Sequence, residues 1–201
     1  MKLTSIVLAG GKSLRFGRNK ALEAICGKSL IECVIQRLKP LTGQILIVTS
    51  KELTDLPAAG KAEILTDVYP NKGPLGGIYT GLLAAKSSRS IVVACDMPFL
   101  NAELLSYMVK LSRSVDAVIP RLGEGILQPL HAIYSQNCLS GIKTHLEQNQ
   151  LQISSFLDTI RVRYVEQAEC QRLDPELLSF FNINYESDLD QAIALAAKGK
   201  C

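Results

Sequence analysis

The stretch LTSIVLAGGKSLRFGRNKAL, residues 3–22, joins a short apolar run to a loop rich in glycine and positive charge. Residues 3–9 are almost continuously apolar and of strand length, which predicts a buried β-strand. Three glycines and four cations follow within eleven residues. Glycine lets the backbone approach a ligand with its N–H groups pointing inward, so the loop predicts an anion site. Arg15 and Lys20 would add mobile positive charge for a triphosphate.

Two familiar phosphate-binding loops do not fit this stretch. The GKS triplet at residues 11–13 looks like the end of a P-loop, but the first glycine of that motif would fall at Ile6, inside the strand. The dinucleotide fingerprint GxGxxG fails as well, because the glycines are adjacent and then six residues apart. A solvated turn whose charges face water is the remaining alternative, and the later glycine and cations count against it.

Beyond the loop, short runs rich in Val and Ile alternate with helical patterns. We expect strands at 44–49, 62–66, 90–95, 116–119 and 162–165, and helices at 29–38, 75–86, 101–112, 135–147 and 186–198. Asn101 is expected to cap the helix that it begins. Residues 126–134, which include a proline, are expected to form an edge strand. This alternation predicts an α/β fold: a doubly wound, mostly parallel sheet with helices on both faces, in a single domain over residues 1–201. Ligands of such sheets bind beyond the carboxyl ends of the strands.

Composition excludes several classes of protein. Hydrophobic residues make up 47% and charged residues 20% of the chain, which is typical of a globular protein, and the net charge is only +3. There is no Lys/Arg block and no Trp, so nucleic acid is not an expected partner. We also expect no membrane span and a cytoplasmic location, since no apolar run approaches about 20 residues. Six cysteines without a CxxC pair predict free thiols.

The loop carries a resemblance to a known family. LAGGKSLRFGRNKAL, residues 8–22, resembles the LAGGxSxRMGxxKAL signature of sugar-phosphate-type nucleotidyltransferases, most closely the molybdenum cofactor guanylyltransferases (MobA-type). Phe16 stands where the family usually has Met. The Gly-Gly pair resembles the guanylyl enzymes, whereas cytidylyl relatives more often have Ala-Gly. The resemblance implies a Rossmann-like nucleotidyltransferase fold, catalytic roles for two cations, Arg15 and Lys20, and GTP contacts from Leu8, Ala9, Gly10, Gly11, Arg15, Gly17 and Lys20.

A second segment that matches the family follows the third predicted strand. Asp67 ends that strand, and GPLGGI at residues 73–78 looks like the family's GPLxGI loop. The resemblance assigns Asp67 to the nucleoside side of the pocket and Gly76 to the same nucleotide site. A further family contact, an Asn after the second strand, falls at Val48 or Thr49 here, which departs from the pattern. For Asp67 taken alone, a helix cap or a turn is the alternative role.

A third segment follows the fourth apolar strand. Asp96 comes directly after Cys95 and is followed by Met-Pro, so a carboxylate lies just beyond a strand end, where it can ligate a hard cation such as Mg²⁺. The family's DxP motif uses this Asp as its magnesium ligand, so the resemblance implies that Asp96 is both catalytic and the metal ligand. A turn-forming role is the alternative. Cys95 is expected to be a buried strand residue and not a nucleophile.

The acceptor side is predicted from two later segments. Gln128 lies in LQPLHAIY, which resembles the family's QPL segment, and FNIN at residues 181–184 resembles its NxN segment. These segments flank the pterin-phosphate acceptor in the family, so the resemblance assigns acceptor contacts to Gln128, Asn182 and Asn184. The Thr-Pro that normally follows NxN is absent. His131 is expected to be a packed histidine and not a catalytic one.

The resemblance implies transfer of GMP from GTP to molybdenum-molybdopterin cofactor, with release of pyrophosphate and Mg²⁺ as cofactor. Residues 1–100 would bind the nucleotide and 101–201 the acceptor. Other enzymes of molybdenum cofactor biosynthesis, or acceptor enzymes, are further implied partners. Two alternatives stay open: another nucleotidyltransferase, using CTP with molybdopterin or an NTP with a sugar phosphate, and a catalytically silent protein that binds nucleotide or molybdenum cofactor.

Overall fold

The computed structural model describes residues 3–10, 20–25, 27–50, 56 and 62–200. The strands are β1 (Leu3–Leu8), β2 (Ala24–Ile25), β3 (Lys28–Ser29), β4 (Thr42–Thr49), β5 (Ala62–Thr66), β6 (Arg89–Ala94), β7 (Ala117–Leu122), β8 (Ile126–Leu127), β9 (His131–Ser135) and β10 (Val162–Glu166). The α-helices are α1 (Leu30–Leu38), α2 (Gly73–Ala84), α3 (Ala102–Leu111), α4 (Cys138–Glu147), α5 (Ile153–Leu157), α6 (Gln167–Gln171) and α7 (Glu186–Leu195). Short 3-10 turns cover Lys20–Leu22, Ser112–Ser114 and Leu178–Phe180.

The central sheet is mostly parallel. Within the described ranges it has eight strands in the order β10–β7–β9–β6–β1–β4–β5, with β8 paired to β7. β1 pairs in parallel with both β4 and β6, β4 with β5, and β7 with β10. β9 runs antiparallel between β6 and β7. Because two antiparallel pairings in succession restore the direction, β7 and β10 run the same way as β1.

Helices cover both faces of this sheet, which confirms the predicted doubly wound architecture. Val7 of β1 packs into a core that includes residues of α1, α3 and α6. Its neighbours Ile6 and Leu8 point to the opposite face and pack with residues of α2, α4 and α5. Successive strand residues therefore face two different cores, which explains why the strands are continuously apolar and do not alternate with polar residues.

Two glycines hold α2 close against β1. A Cβ at Gly77 would lie 3.0 Å from Leu8 Cδ2, and a Cβ at Gly81 would lie 2.9 Å from Ile6 Cδ1. The helix therefore runs antiparallel to the strand, from the level of Leu8 down to that of Ile6. This direction brings the amino end of α2 to the edge of the sheet at which the parallel strands end, called the carboxyl edge below.

The expected edge strand over 126–134 is wrong. Two strands, β8 and β9, occupy this stretch, and β9 lies inside the sheet with both neighbours paired. Pro129 lies in the turn between them, where a backbone N–H is not needed for pairing. The proline therefore marks a turn, and the residues after it, His131–Ser135, are all buried.

The expected cap of the helix at residues 101–112 is present. Asn101 caps α3 by accepting hydrogen bonds at Oδ1 from the N–H groups of Glu103 and Leu104, at 2.9 and 3.0 Å. Cys33, Cys95, Cys138 and Cys170 form no disulfide with one another, and Cys26 and Cys201 lie outside the described residues. The expectation that Cys95 is a buried strand residue is wrong, because β6 ends at Ala94 and Cys95 is half-buried in the turn that follows. In the part of the chain that the structure describes, no helix combines the length and the apolar character that crossing a membrane requires.

Candidate active site

The carboxyl edge begins where β6, β1 and β4 end side by side. Leu8 lies in register between Val48 of β4 and Ala94 of β6. The pairing continues one residue further, because the Ala9 N–H donates to the Val48 carbonyl at 2.8 Å and the Cys95 N–H donates to the Leu8 carbonyl at 3.1 Å. The segments that follow β1 and β6 therefore leave the sheet from adjacent positions.

Gly10 is exposed at this edge. Among the described atoms, a Cβ at Gly10 would meet Ser50 N and Thr49 Cα at 3.9 Å, which is ordinary van der Waals contact. The neighbouring strand therefore does not require glycine at this position. A close approach by a bound ligand would require it, since a side chain would occupy the space above the backbone.

The rest of the predicted glycine-rich loop is not described. Gly11, Arg15 and Gly17 lie outside the described residues. Lys20 begins the 3-10 turn Lys20–Leu22, in which Ala21 is buried. The roles assigned to these four loop residues stay predictions.

Asp67 is held at the end of β5 by three hydrogen bonds. Its N–H donates to the Thr49 carbonyl at 2.9 Å, and its Oδ1 accepts from Thr80 Oγ1 at 2.7 Å and from the Tyr69 N–H at 3.0 Å. A Cβ at Gly76 would lie 2.9 Å from the Tyr69 carbonyl oxygen and 3.1 Å from Asp67 Oδ2. The first turn of α2 therefore packs directly on the 67–69 turn, and one carboxylate oxygen of Asp67 has the turn-forming role described above as the alternative.

Asp96 lies two residues beyond Ala94, the last residue of β6, on a well-packed loop. Met97 lies in the core that contains β1 residue Val7, and Phe99 packs in a separate cluster with Ile183. Oδ1 of Asp96 is buried, although the residue as a whole is partly exposed. The carboxylate is thus attached to a loop that is anchored on both sides, at the carboxyl edge beside Gly10.

The predicted acceptor residue Gln128 lies in the turn between β8 and β9. The Leu130 carbonyl in this turn accepts a hydrogen bond from the Ala94 N–H at 3.1 Å, so the turn borders the end of β6. Tyr134, which is fully buried, donates from its hydroxyl to the Pro129 carbonyl at 3.0 Å. Because β9 runs antiparallel to β6, the turn that precedes it is at the carboxyl edge.

The other predicted acceptor residues come from near the carboxyl terminus. Ile183 is fully buried, and its N–H donates to the Asp96 carbonyl at 3.1 Å. Asn182 is half-buried and Asn184 exposed on either side of it. The Asp188 carboxylate accepts hydrogen bonds from the Asn184 N–H at 2.7 Å and from the Tyr185 N–H at 2.9 Å. It thereby caps the start of α7, at the point where the family pattern has Thr-Pro.

The structure therefore brings most of the described candidates to one edge. Asp96, Gly10 and the segment around Ile183 lie at the ends of β6 and β1, whereas Asp67 lies at the end of β5, three strand positions from Asp96. At about 4.8 Å per position the separation is roughly 14 Å. Asp67 and Asp96 are thus far enough apart to contact opposite ends of one extended ligand.

The sequence did not indicate three of the contacts that build this edge: the Thr80 hydroxyl on Asp67, the Tyr134 hydroxyl on Pro129, and the Ile183 amide on Asp96. Thr80 could have been found, because it follows Gly76 by four residues and shares its helix face. The Tyr134–Pro129 contact needs a turn inside the stretch that was expected to be one extended strand, where residues five apart lie far from each other. The Ile183–Asp96 contact joins residues 87 positions apart, which no local pattern indicates.

Comparison with known proteins defines the family. The chain is 34% identical over 200 residues to the molybdenum cofactor guanylyltransferase of Desulfosudis oleivorans, with 98% of each chain covered. It is 37% identical over 195 residues to a probable molybdenum cofactor guanylyltransferase of Bacillus licheniformis, which covers 95% of this chain and 96% of that one. The crystal structure of molybdopterin-guanine dinucleotide biosynthesis protein A from Archaeoglobus fulgidus superposes with a TM-score of 0.85 at 30% identity, covering 98% of this chain and 100% of the other.

The doubly wound sheet, the residues gathered at its carboxyl edge and these similarities define the class: the protein is a nucleotidyltransferase. The model of the MobA-like NTP transferase domain matches residues 5–165. The chain belongs to this MobA-like NTP transferase family, as the resemblance in its glycine-rich loop predicted.

His131 begins β9 and is packed, as expected. Its ring is fully buried and lies 4.7 Å, centroid to centroid, from that of Phe180. Among the described residues neither ring nitrogen has a hydrogen-bond partner. Burial lowers the pKa of His131 to about 4, and the negative charge of Asp174 opposes this shift.

We expect His131 to make stability depend on pH. Its pKa is about 4 in the folded protein and 6.5 without the fold. Between these values the unfolded chain binds a proton that the folded protein does not, so the unfolding free energy should fall as pH falls from 6.5 to 4. The loss is about 1.4 kcal/mol per pH unit, up to about 3 kcal/mol. Urea unfolding of the parent and His131→Phe across this range measures it.

The His131→Phe variant keeps the aromatic contact with Phe180 and every other titrating group, including His145. The difference in pH slope between the two proteins therefore isolates the histidine. Equal slopes in parent and variant would contradict the assignment.

Proposed function

We propose that the protein transfers GMP from GTP to molybdenum-molybdopterin cofactor, forming the guanine dinucleotide cofactor and releasing pyrophosphate. The names of the relatives supply the base and the acceptor. One structural observation carries the proposal: the Ile183 amide donates to the carbonyl of Asp96, so the predicted acceptor segment adjoins the predicted metal ligand beside Gly10. We infer a nucleotide part at residues 1–100 and an acceptor part at residues 101–201.

The nucleotide side rests on backbone groups and on Asp67. Gly10 is exposed, and its lack of a side chain supports a close approach of phosphate oxygens to the backbone. We infer that Leu8, Ala9, Gly10 and Gly11 contact the triphosphate, with Arg15, Gly17 and Lys20 completing the loop. Asp67 and Gly76, at the far end of the edge, suit the nucleoside end of GTP, because two strands, β1 and β4, lie between the end of β5 and the end of β6.

The residues at the end of β6 fit a hard divalent cation. Asp96 offers carboxylate oxygen, which Mg²⁺ prefers, and its loop is anchored by buried Met97 and Phe99. Among the described residues no group of three or more His, Cys, Asp and Glu gathers as a metal site, so further ligands would come from the triphosphate and water, as is usual for Mg²⁺ with nucleotides. Bound Mg²⁺ supplies positive charge that offsets repulsion between phosphates.

The chemistry needs positioning more than proton transfer. A phosphate monoester is already a nucleophile near neutral pH, so a strong general base is not required. The acceptor oxygen forms a bond to the α-phosphorus as the bond to the β-phosphate oxygen breaks, and pyrophosphate leaves. The proposed task of Gln128, Asn182 and Asn184 is to hold the acceptor in line, while Arg15 and Lys20 neutralise phosphate charge.

Pyrophosphate release tests this function directly. Parent protein with Mg²⁺, GTP and molybdenum-molybdopterin should release pyrophosphate and form the guanine dinucleotide. With CTP in place of GTP, the rate of pyrophosphate release should be at most about one tenth of the rate with GTP. Higher turnover with CTP would make the protein a cytidylyl enzyme. Binding of GTP and cofactor without any release would instead indicate the catalytically silent carrier.

Asp96→Asn should lower kcat about 100-fold or more, because the amide keeps the size of the side chain but removes its negative charge. The matched control is Asp116→Asn. Asp116 precedes β7 at the opposite edge and forms an ion pair with Arg161 at 3.2 Å. Steady-state turnover at saturating Mg²⁺ measures both variants. Parental turnover in Asp96→Asn, or an equal loss in both variants, would remove Asp96 from the site.

A further inference from the structure

Two segments run beside each other next to the proposed active site. The Asp96 loop is defined as residues 95–101, and the acceptor segment as residues 173–184. The Phe99 and Phe181 rings meet edge to face with centroids 5.9 Å apart, and the Ile183 N–H donates to the Asp96 carbonyl. These contacts join the ends of the two segments that carry Asp96 and Asn182.

Asn101 makes a second junction at the other end of the Asp96 loop. Its Oδ1 is used by the cap of α3, and its Nδ2 donates to the Leu173 carbonyl at 2.8 Å. Its backbone N–H donates to Ser179 Oγ at 2.7 Å. One residue thus fixes the start of α3 and two points of the acceptor segment at the same time.

Ser179 is itself held rigidly. It is fully buried, and its N–H donates to Asp174 Oδ2 at 2.8 Å, while the Leu178 N–H donates to Oδ1 at 3.2 Å. Asp174 is 6% exposed, so these charge-assisted bonds are shielded from water. The turn from 174 to 179 is therefore a fixed base for the residues that follow it.

We propose that Asn101 and Ser179 are positioning residues that hold the acceptor segment in register with the Asp96 loop. The inference rests on the proposed function. Asn182 lies between the two junctions, Ser179 on one side and Ile183 on the other, so both its position and its direction depend on them. Neither Asn101 nor Ser179 is assigned a contact with substrate.

Loss of the Asn101 junction should affect the binding of one substrate, the acceptor. Without the Asn101 junction, the acceptor segment keeps the Ile183 contact but can rotate about it. The side-chain amides of Asn182 and Asn184 must then be ordered when the acceptor binds, which weakens binding. Apart from Asp96, whose loop stays anchored by buried Met97, the nucleotide side is built from β1, β4, β5 and α2, which the acceptor segment does not help to form. Loss of the junction should therefore weaken acceptor binding and leave GTP binding unchanged.

Three variants remove the junction in different ways. Asn101→Asp and Asn101→Ser both keep an oxygen suited to the helix cap, but neither has an amide nitrogen to donate to Leu173. Ser179→Ala removes the oxygen that the Asn101 N–H donates to. The matched control is Ser87→Ala: Ser87 is also buried and its Oγ accepts from the Thr4 N–H at 2.9 Å, at the opposite edge of the sheet.

Steady-state kinetics give the first readout. In the three junction variants we expect KM for the molybdopterin acceptor to rise about fivefold or more, the size of effect that a lost hydrogen bond produces. KM for GTP should stay within about twofold of the parent. Ser87→Ala should change neither constant. An unchanged acceptor KM, or equal changes in both constants, would overturn the inference.

Hydrogen exchange gives a second readout that does not depend on turnover. Amides of residues 178–184 should exchange faster in Asn101→Asp and Ser179→Ala than in the parent or in Ser87→Ala, while β1 and β4 keep their protection. Parental exchange at 178–184 in these variants would overturn the inference. A parent that fails to transfer GMP would overturn the proposed function instead, and the exchange data would still decide whether the junction holds the segment.

Discussion

The proposed active site depends on the in-register parallel pairing of β1 with its two neighbours, β4 and β6. Because parallel strands point the same way, everything that follows them emerges at one edge. The Ala9 N–H on the Val48 carbonyl and the Cys95 N–H on the Leu8 carbonyl extend this pairing beyond the strands themselves. Gly10, at the start of the glycine-rich loop, and the Asp96 loop thus lie at the same edge before any ligand is bound, and the ordering cost of bringing them together is met during folding.

The second half of the chain reaches the same edge by two routes. β9 inserts antiparallel between β6 and β7, which brings the turn containing Gln128 beside the end of β6. The later segment around Ile183 is not part of the sheet and docks on the Asp96 loop through a backbone hydrogen bond and buried apolar side chains. One half of the site is therefore built by sheet pairing, and the other by packing on a loop that the sheet has already fixed.

Much of this could be predicted from the sequence, and the limits have physical causes. Continuously apolar strands and the capping Asn101 depend on local residue type, so their positions were predicted well. The place of β9 inside the sheet was not predicted, because Pro129 fits an edge strand and a turn equally well. The assignment of Gly10 and Asp96 came from a local motif, whereas the Ile183–Asp96 contact joins residues 87 positions apart and has no local signal. Asp67 illustrates a mixed case: its turn-forming bond to Tyr69 is local, but its bond to Thr80 depends on how α2 packs.

A crystal structure with GTP and Mg²⁺ bound tests the central claim most directly. The account predicts triphosphate density against the backbone at Gly10, a metal ion ligated by a carboxylate oxygen of Asp96, and the guanosine toward Asp67. A nucleotide bound away from the carboxyl edge, or a metal ion at that edge without Asp96 among its ligands, would contradict it.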